Sequence, residues 1–217
     1  MKFAVMGTGT VGMTLAGKLV ALGHEVTMGS RRADHPGALA WAAAVGELAH
    51  VGTFADAAGF AEVVVNASNG GATMEVLAAA GIPKLSGKLL IDVSNPLDFS
   101  QGFPPTLSIV NSDSLGERIQ AACLDALVVK TLNTMSAPVM VEPSLVPGHH
   151  SVFVSGNDAA ARSEVVHLLA SFGWPADDII VLGDITTARG TEMYLPLWLR
   201  LFGVVGSPHF NINVARR

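Results

Sequence analysis

Short apolar runs alternate along this chain with longer stretches in which small and apolar residues recur at helical spacing. Phe3–Met6, Glu25–Met28, Val63–Asn66, Leu89–Asp92 and Leu127–Lys130 predict strands, with a weaker one near Val51. They are rich in Val and Ile and lack polar alternation, the pattern of central parallel strands covered on both faces. Between them Thr10–Leu22, Pro36–Ala44, Thr73–Ala80 and Ser114–Ala122 predict helices. Gly23 after the first of these fits a C-terminal glycine cap.

This alternation predicts an α/β fold, a doubly wound and mainly parallel Rossmann-type sheet. Asn95–Asn111, with Pro96, Pro104 and Pro105, predicts a long loop after the strand ending at Asp92, and loops of that length are commonly functional or mobile. Ser151–Ser155 and Ile179–Leu182 predict two further strands around a helix at Ala159–Phe172. We expect residues 1–148 to form the main domain and 149–217 a small α/β and helical extension, with a soft boundary at Gly148. The last segment, Thr187–Phe202, is too apolar for a free surface helix. It needs a cover: the subunit itself, a second copy, or a flat heterocycle.

Composition narrows the class. Half of the 217 residues are hydrophobic and 14% are charged, which suits a well-buried core and argues against disorder. A net charge of −5 without a basic run gives no support for nucleic-acid binding. Cys123 is the only cysteine, expected to be a small buried apolar residue. No stretch free of Asp, Glu, Lys and Arg exceeds 15 residues, short of the ~18–20 of a spanning helix. A soluble, cytoplasmic protein outside the membrane is the expectation.

The strongest chemical signal is Phe3-Ala4-Val5-Met6-Gly7-Thr8-Gly9-Thr10-Val11-Gly12. Gly7 would make the tight turn off the strand, Gly9 would let the backbone approach a pyrophosphate, and Gly12 would let the helix pack close to the sheet. The free amides and dipole of the helix start would hold the anion. The end of the second strand distinguishes the two common dinucleotides. Sites for NAD place Asp or Glu there to accept from the ribose hydroxyls. This chain has Gly29-Ser30-Arg31-Arg32, with no acid at the strand tip. A hydroxyl donor at Ser30, a forked guanidinium at Arg31 and further charge at Arg32 suit the extra phosphate of NADP.

The glycine triplet, Gly23-His24-Glu25 before the second strand and Gly29-Ser30-Arg31 after it resemble the NADPH-dependent reductases of the deazaflavin coenzyme F420. So do Val128-Val129-Lys130-Thr131-Leu132-Asn133-Thr134 and Gly183-Asp184-Ile185. The resemblance implies hydride transfer between NADP(H) and F420, as cofactor and co-substrate, at the carboxyl ends of the strands. It implies that Gly9–Val11 meet the pyrophosphate, and Ser30 and Arg31 the 2′-phosphate. Ala67-Ser68-Asn69-Gly70 would lie under the adjacent ribose and nicotinamide, with Ser68, Asn69 and Asn133 positioning the reactants. The family has a histidine where this chain has Asn133, and Pro with bulky neighbours where it has Ser68-Asn69-Gly70-Gly71. Both departures fall on the acceptor side.

Reducing a ketone or imine needs a proton donor beside the hydride, whereas exchange between two redox cofactors needs mainly stacking and distance. No dyad or triad emerges from the sequence. Tyr194 reads as a packing residue with a wet hydroxyl, and Asp92 as a turn former before Ser94-Asn95-Pro96. Lys130 either points into the cleft or covers apolar surface with its head in water. His149 and His150 lack a third ligand, so no metal site is expected, and His24 and His209 read as structural. Three readings stand: an F420-dependent NADP reductase, a reductase of an imine, ketone or flavin-like acceptor, and an NADP(H)-binding redox sensor. A homodimer is the expected assembly.

Overall fold

Val, Ile and Leu concentrate where the chain is covered on both sides, and there it forms strands. The computed structural model describes residues 1–215. Its first half runs β1 (Lys2–Met6), α1 (Thr10–Ala21), β2 (Glu25–Ser30), α2 (Pro36–Val45), β3 (Ala49–Thr53), α3 (Phe54–Phe60), β4 (Val63–Asn66), α4 (Thr73–Ala80) and β5 (Leu89–Asp92). A two-stranded hairpin follows, β6 (Leu97–Asp98) and β7 (Thr106–Leu107), then α5 (Leu115–Ala122), β8 (Leu127–Thr131) and α6 (Ala137–Val141). The chain closes with β9 (Val152–Gly156), α7 (Ala159–Phe172), β10 (Ile179–Gly183), α8 (Ala188–Met193) and α9 (Leu195–Val205).

Eight strands form one sheet in the order β10-β9-β8-β5-β4-β1-β2-β3, and all pair in parallel except β8 with β9. The doubly wound α/β architecture read from the sequence is therefore the one observed. The sheet continues across position 148, because β9 pairs directly with β8. Alternate residues of each strand feed two cores. Phe3 and Val5 of β1 meet Leu15, Leu19 and Trp41 on one face, while Ala4 and Met6 meet Phe54, Leu77 and Leu90 on the other. The outer strand β10 carries a bulge between Val181 and Gly183, with Val181 and Leu182 exposed.

Local chemistry sets the boundaries. α1 ends with Gly23 at φ +83°, and the amides of Gly23 and His24 return to the carbonyls of Val20 and Leu19, which closes its last turn. α3, absent from the sequence reading, starts directly after β3 with a capping box. Thr53 Oγ1 accepts from the Asp56 amide, and the Asp56 carboxylate accepts from the Thr53 amide. The 95–111 segment contains the β6–β7 hairpin rather than a structureless loop. Of the last apolar segment, α8 buries Ala188, Thr191 and Glu192, but α9 buries only Leu195. Leu197, Val204 and Val205 stay exposed, so this chain by itself leaves much of α9 uncovered.

Candidate functional site

β1 has β2 on one side and β4 on the other. At such a switch point the loops leave in opposite directions and open a crevice at the carboxyl ends of the strands. A cavity of about 870 Å³ lies there. The turn after β1 contributes Gly7, Thr8 and Gly9, and the end of β2 contributes Gly29, Ser30, Arg31, Arg32 and His35. The turn after β4 contributes Ala67, Ser68 and Asn69, with Ala72, Glu75, Val76 and Ala79 beyond it.

The three glycines differ in what demands them. Gly7 sits at φ +127°, and a Cβ there would lie 2.6 Å from the Ala67 carbonyl oxygen. A Cβ at Gly12 would lie 2.2 Å from the Gly7 carbonyl oxygen. The fold itself requires those two. Around Gly9 a Cβ would meet nothing within 4 Å, so its bareness leaves room for a ligand's close approach. Gly9 caps α1 with its carbonyl, which accepts from Met13 at 2.9 Å. Thr10, Val11 and Gly12 form the first helical turn behind the cavity rather than its lining. Their amides have no acceptor within the helix, and no acid stands in that turn. This arrangement fits a pyrophosphate.

The cationic corner is more particular than the sequence suggests. Arg31 is exposed and makes no ion pair or hydrogen bond among the described residues. Arg32, in contrast, pairs with Asp34 at 3.0 Å, and Glu75 also faces the cavity. The corner is thus not free of carboxylate, and Arg31 is its uncommitted cation. Ser30, expected to donate to a phosphate, instead gives its proton to the Arg32 carbonyl and accepts from the Arg32 amide. His35 was missed. Its Nδ1 caps α2 by accepting from Ala38 at 3.3 Å, which places the neutral ring's proton on Nε2, 3.4 Å from Thr8 Oγ1 and facing the cavity. Its position directly before Pro36, where a helix was predicted to begin, was the available signal.

On the acceptor side three expectations change. Asn133 is buried and outside this cavity: its Nδ2 donates to Asn95 Oδ1 at 3.0 Å, and Asn95 Nδ2 donates to the Asn133 carbonyl at 2.9 Å. Leu132 beside it holds φ +61°, a left-handed backbone that costs a branched residue on the order of 1 kcal/mol. Lys130 neither enters the cleft nor reaches water. It is fully buried, 2.7 Å from Asp92 and 2.8 Å from Glu192. Burial pulls its ammonium down, but attraction to Asp92 and Glu192 outweighs that and leaves it above its ordinary value. Asp92 is also the expected turn former, accepting from the Ser94 amide at 3.1 Å. The Tyr194 hydroxyl is buried rather than wet, with no hydrogen-bond partner among the described residues, and burial pushes its pKa up. His150 is held by the Pro143 carbonyl and Asn211, and among the described residues no cluster could hold a metal ion.

The family model for NADP oxidoreductase, coenzyme F420-dependent, matches residues 2–96. A solved structure from Arthrobacter sp. FB24, provisionally named an F420-dependent NADP-reductase, is 55% identical, with 100% of each chain covered and a TM-score of 0.95. This chain belongs to the coenzyme F420-dependent NADP oxidoreductase family. Members are NADP-dependent oxidoreductases, which accords with the enzyme class read from the sequence. Rat metalloreductase STEAP3 is 26% identical over 201 residues, 91% of this chain and 38% of that protein. The chain therefore spans well under half the length of that curated relative. A reductive aminase from Aspergillus terreus, solved with NADPH and ethyl levulinate, is 18% identical over 94% of this chain and 62% of its own, with a TM-score of 0.65. That likeness is one of fold. Among the described residues no helix is long and apolar enough to cross a membrane.

Proposed function

We propose that this F420-dependent NADP oxidoreductase family member exchanges a hydride between NADP(H), bound in the 870 Å³ cavity, and the deazaflavin coenzyme F420. The observation that carries the cofactor half is Arg31, a guanidinium at the tip of β2 with no partner of its own among the described residues. The bare backbone at Gly9 and the unpaired amides after it take the pyrophosphate, and Arg31 with His35 takes the 2′-phosphate. NADPH supplies the hydride; the residues supply orientation. The acceptor half is supported by family membership and by the lack of a donor from Lys130 or Tyr194, since neither lines the cavity. We also infer a cytoplasmic location and a homodimer in which a second copy covers α9; sedimentation of the wild-type protein beside a Leu197→Glu, Val204→Glu variant reads the assembly and its dependence on α9.

The decisive experiment is anaerobic spectrophotometry of NADPH oxidation with purified F420, run beside flavins and cyclic imines. Turnover with F420 alone supports the proposal, and turnover with imines but not F420 overturns its acceptor. A second reading, a redox sensor, is favoured by the exposed apolar residues Leu197, Val204 and Val205. Tight NADPH binding with no turnover on any acceptor would select it.

A further inference from the structure

Three buried polar residues stand side by side at the carboxyl ends of adjacent strands. Asn66 of β4 is in register with Asp92 of β5, and Asp92 with Lys130 of β8. Ser68, which lines the cavity, stands at one end of this row, and Glu192 of α8 at the other. Glu192 in turn accepts from the amides of Leu115 and Gly116 at the start of α5.

The direction of each hydrogen bond along the row follows from the next. An ammonium only donates, and Lys130 gives to Asp92 Oδ2 at 2.7 Å. A carboxylate only accepts, and Asp92 Oδ1 takes protons from Ser94 Oγ at 2.7 Å and from Asn66 Nδ2 at 2.8 Å. The Asn66 amide is thereby oriented, and its Oδ1 must face the other way. There it accepts from Ser68 Oγ at 2.7 Å and from the Ser68 amide at 3.3 Å. Ser68 has one hydroxyl proton, now committed to Asn66. Its 3.0 Å contact with Thr73 Oγ1 therefore leaves Ser68 only the acceptor's part, and the Asn69 carbonyl, 3.3 Å from the same threonine hydroxyl, competes for the threonine's single proton.

We propose that Ser68 faces the cavity solely as a hydrogen-bond acceptor, and that the bound dinucleotide meets it with a proton-bearing group, a ribose hydroxyl or the carboxamide N–H. Lys130, Asp92 and Asn66 are positioning residues that impose this polarity from within the sheet. The inference rests on NADP(H) occupying the cavity. It has a chemical corollary: Ser68 cannot protonate a ketone or imine, and a phosphate oxygen placed there would face a lone pair.

Calorimetry with NADPH tests the contact. Ser68→Ala is expected to weaken binding about fivefold, the loss of one neutral hydrogen bond, and Ser68→Thr to restore it. Asn66→Ala frees the serine proton and should weaken binding about as much. The double variant should lose about fivefold in total, not the roughly 25-fold of independent effects. With the 3-acetylpyridine analogue of NADP, which lacks the carboxamide N–H, an unchanged loss in Ser68→Ala assigns a ribose hydroxyl, and a vanished loss assigns the carboxamide. A neutron structure of the wild-type protein, independent of any variant's folding, should show the Ser68 deuteron pointing at Asn66. A deuteron directed into the cavity, or NADPH affinity unchanged in Ser68→Ala, overturns the proposal. Failure of the wild-type protein to bind NADPH would instead remove the ligand assignment, and the neutron map would still decide the polarity.

Discussion

Charged side chains gather at two places along the carboxyl edge of one sheet, and their surroundings set them to opposite tasks. After β2, Arg31 and Arg32 are exposed at the rim of a large cavity. At the end of β8, Lys130 is sealed against Asp92 and Glu192, with side-chain exposures of 0%, 0% and 1%. In the first place water already solvates the charges, so the Arg32–Asp34 pair contributes no more than about 1 kcal/mol to stability. In the second, desolvation makes each partner depend on the others. Burial, more than charge, separates residues left open to a ligand from residues held for the fold.

The contrast breaks most easily at Lys130. Lys130→Met would leave two buried carboxylates without their cation and should lower the unfolding free energy by about 3–5 kcal/mol in urea titrations. A loss below about 1 kcal/mol would mean the triad is no more coupled than a surface pair. The same group gives the wild-type protein an alkaline limit. Its folded-state pKa lies above the ordinary 10.5, so its contribution is whole below that value and declines as pH rises through the raised one. Thermal melts should stay flat with respect to this group up to about pH 10.5 and fall beyond it.

Next in size is the cationic corner. Arg31→Ala should weaken NADPH binding by about 1.5–3 kcal/mol and leave NADH binding and the melting temperature unchanged. An equal loss for both nucleotides would place the guanidinium away from the 2′-phosphate. The smallest effect sharpens the comparison from the backbone side. Gly9→Ala has open space for its methyl, so stability should change by no more than about 0.5 kcal/mol. NADPH binding should nevertheless fall, measured by calorimetry on the same preparation. Full binding in Gly9→Ala would show that no ligand approaches there.

Most of the strands and helices were legible because apolar runs and helical spacing report burial directly, and Gly7, Gly9 and Gly12 announce a turn with few other uses. What escaped depended on distance in sequence or on context. Lys130 reads as a strand-end lysine because its second partner, Glu192, arrives from α8 through tertiary packing. Asn133 reads as a pocket residue because its reciprocal bonds to Asn95 join two separate loops. Ser30 reads as a donor until the turn that claims its proton is seen. In α3 the signal was present but short: Thr53 followed by Asp56 is a capping box before only seven helical residues. Arg31 shows the reverse, since a residue without a partner among the described residues is described well by its own chemistry.

The bulge in β10 bears on how this protein behaves at high concentration. An outermost strand exposing Val181 and Leu182 would, if regular, offer its free amides and carbonyls to a neighbouring molecule for edge-to-edge stacking. The irregularity between Val181 and Gly183 interrupts that template at the point where the exposed aliphatic side chains would otherwise reward it. The kink thus guards an open sheet edge against self-association, at a place outside the lining of the cavity.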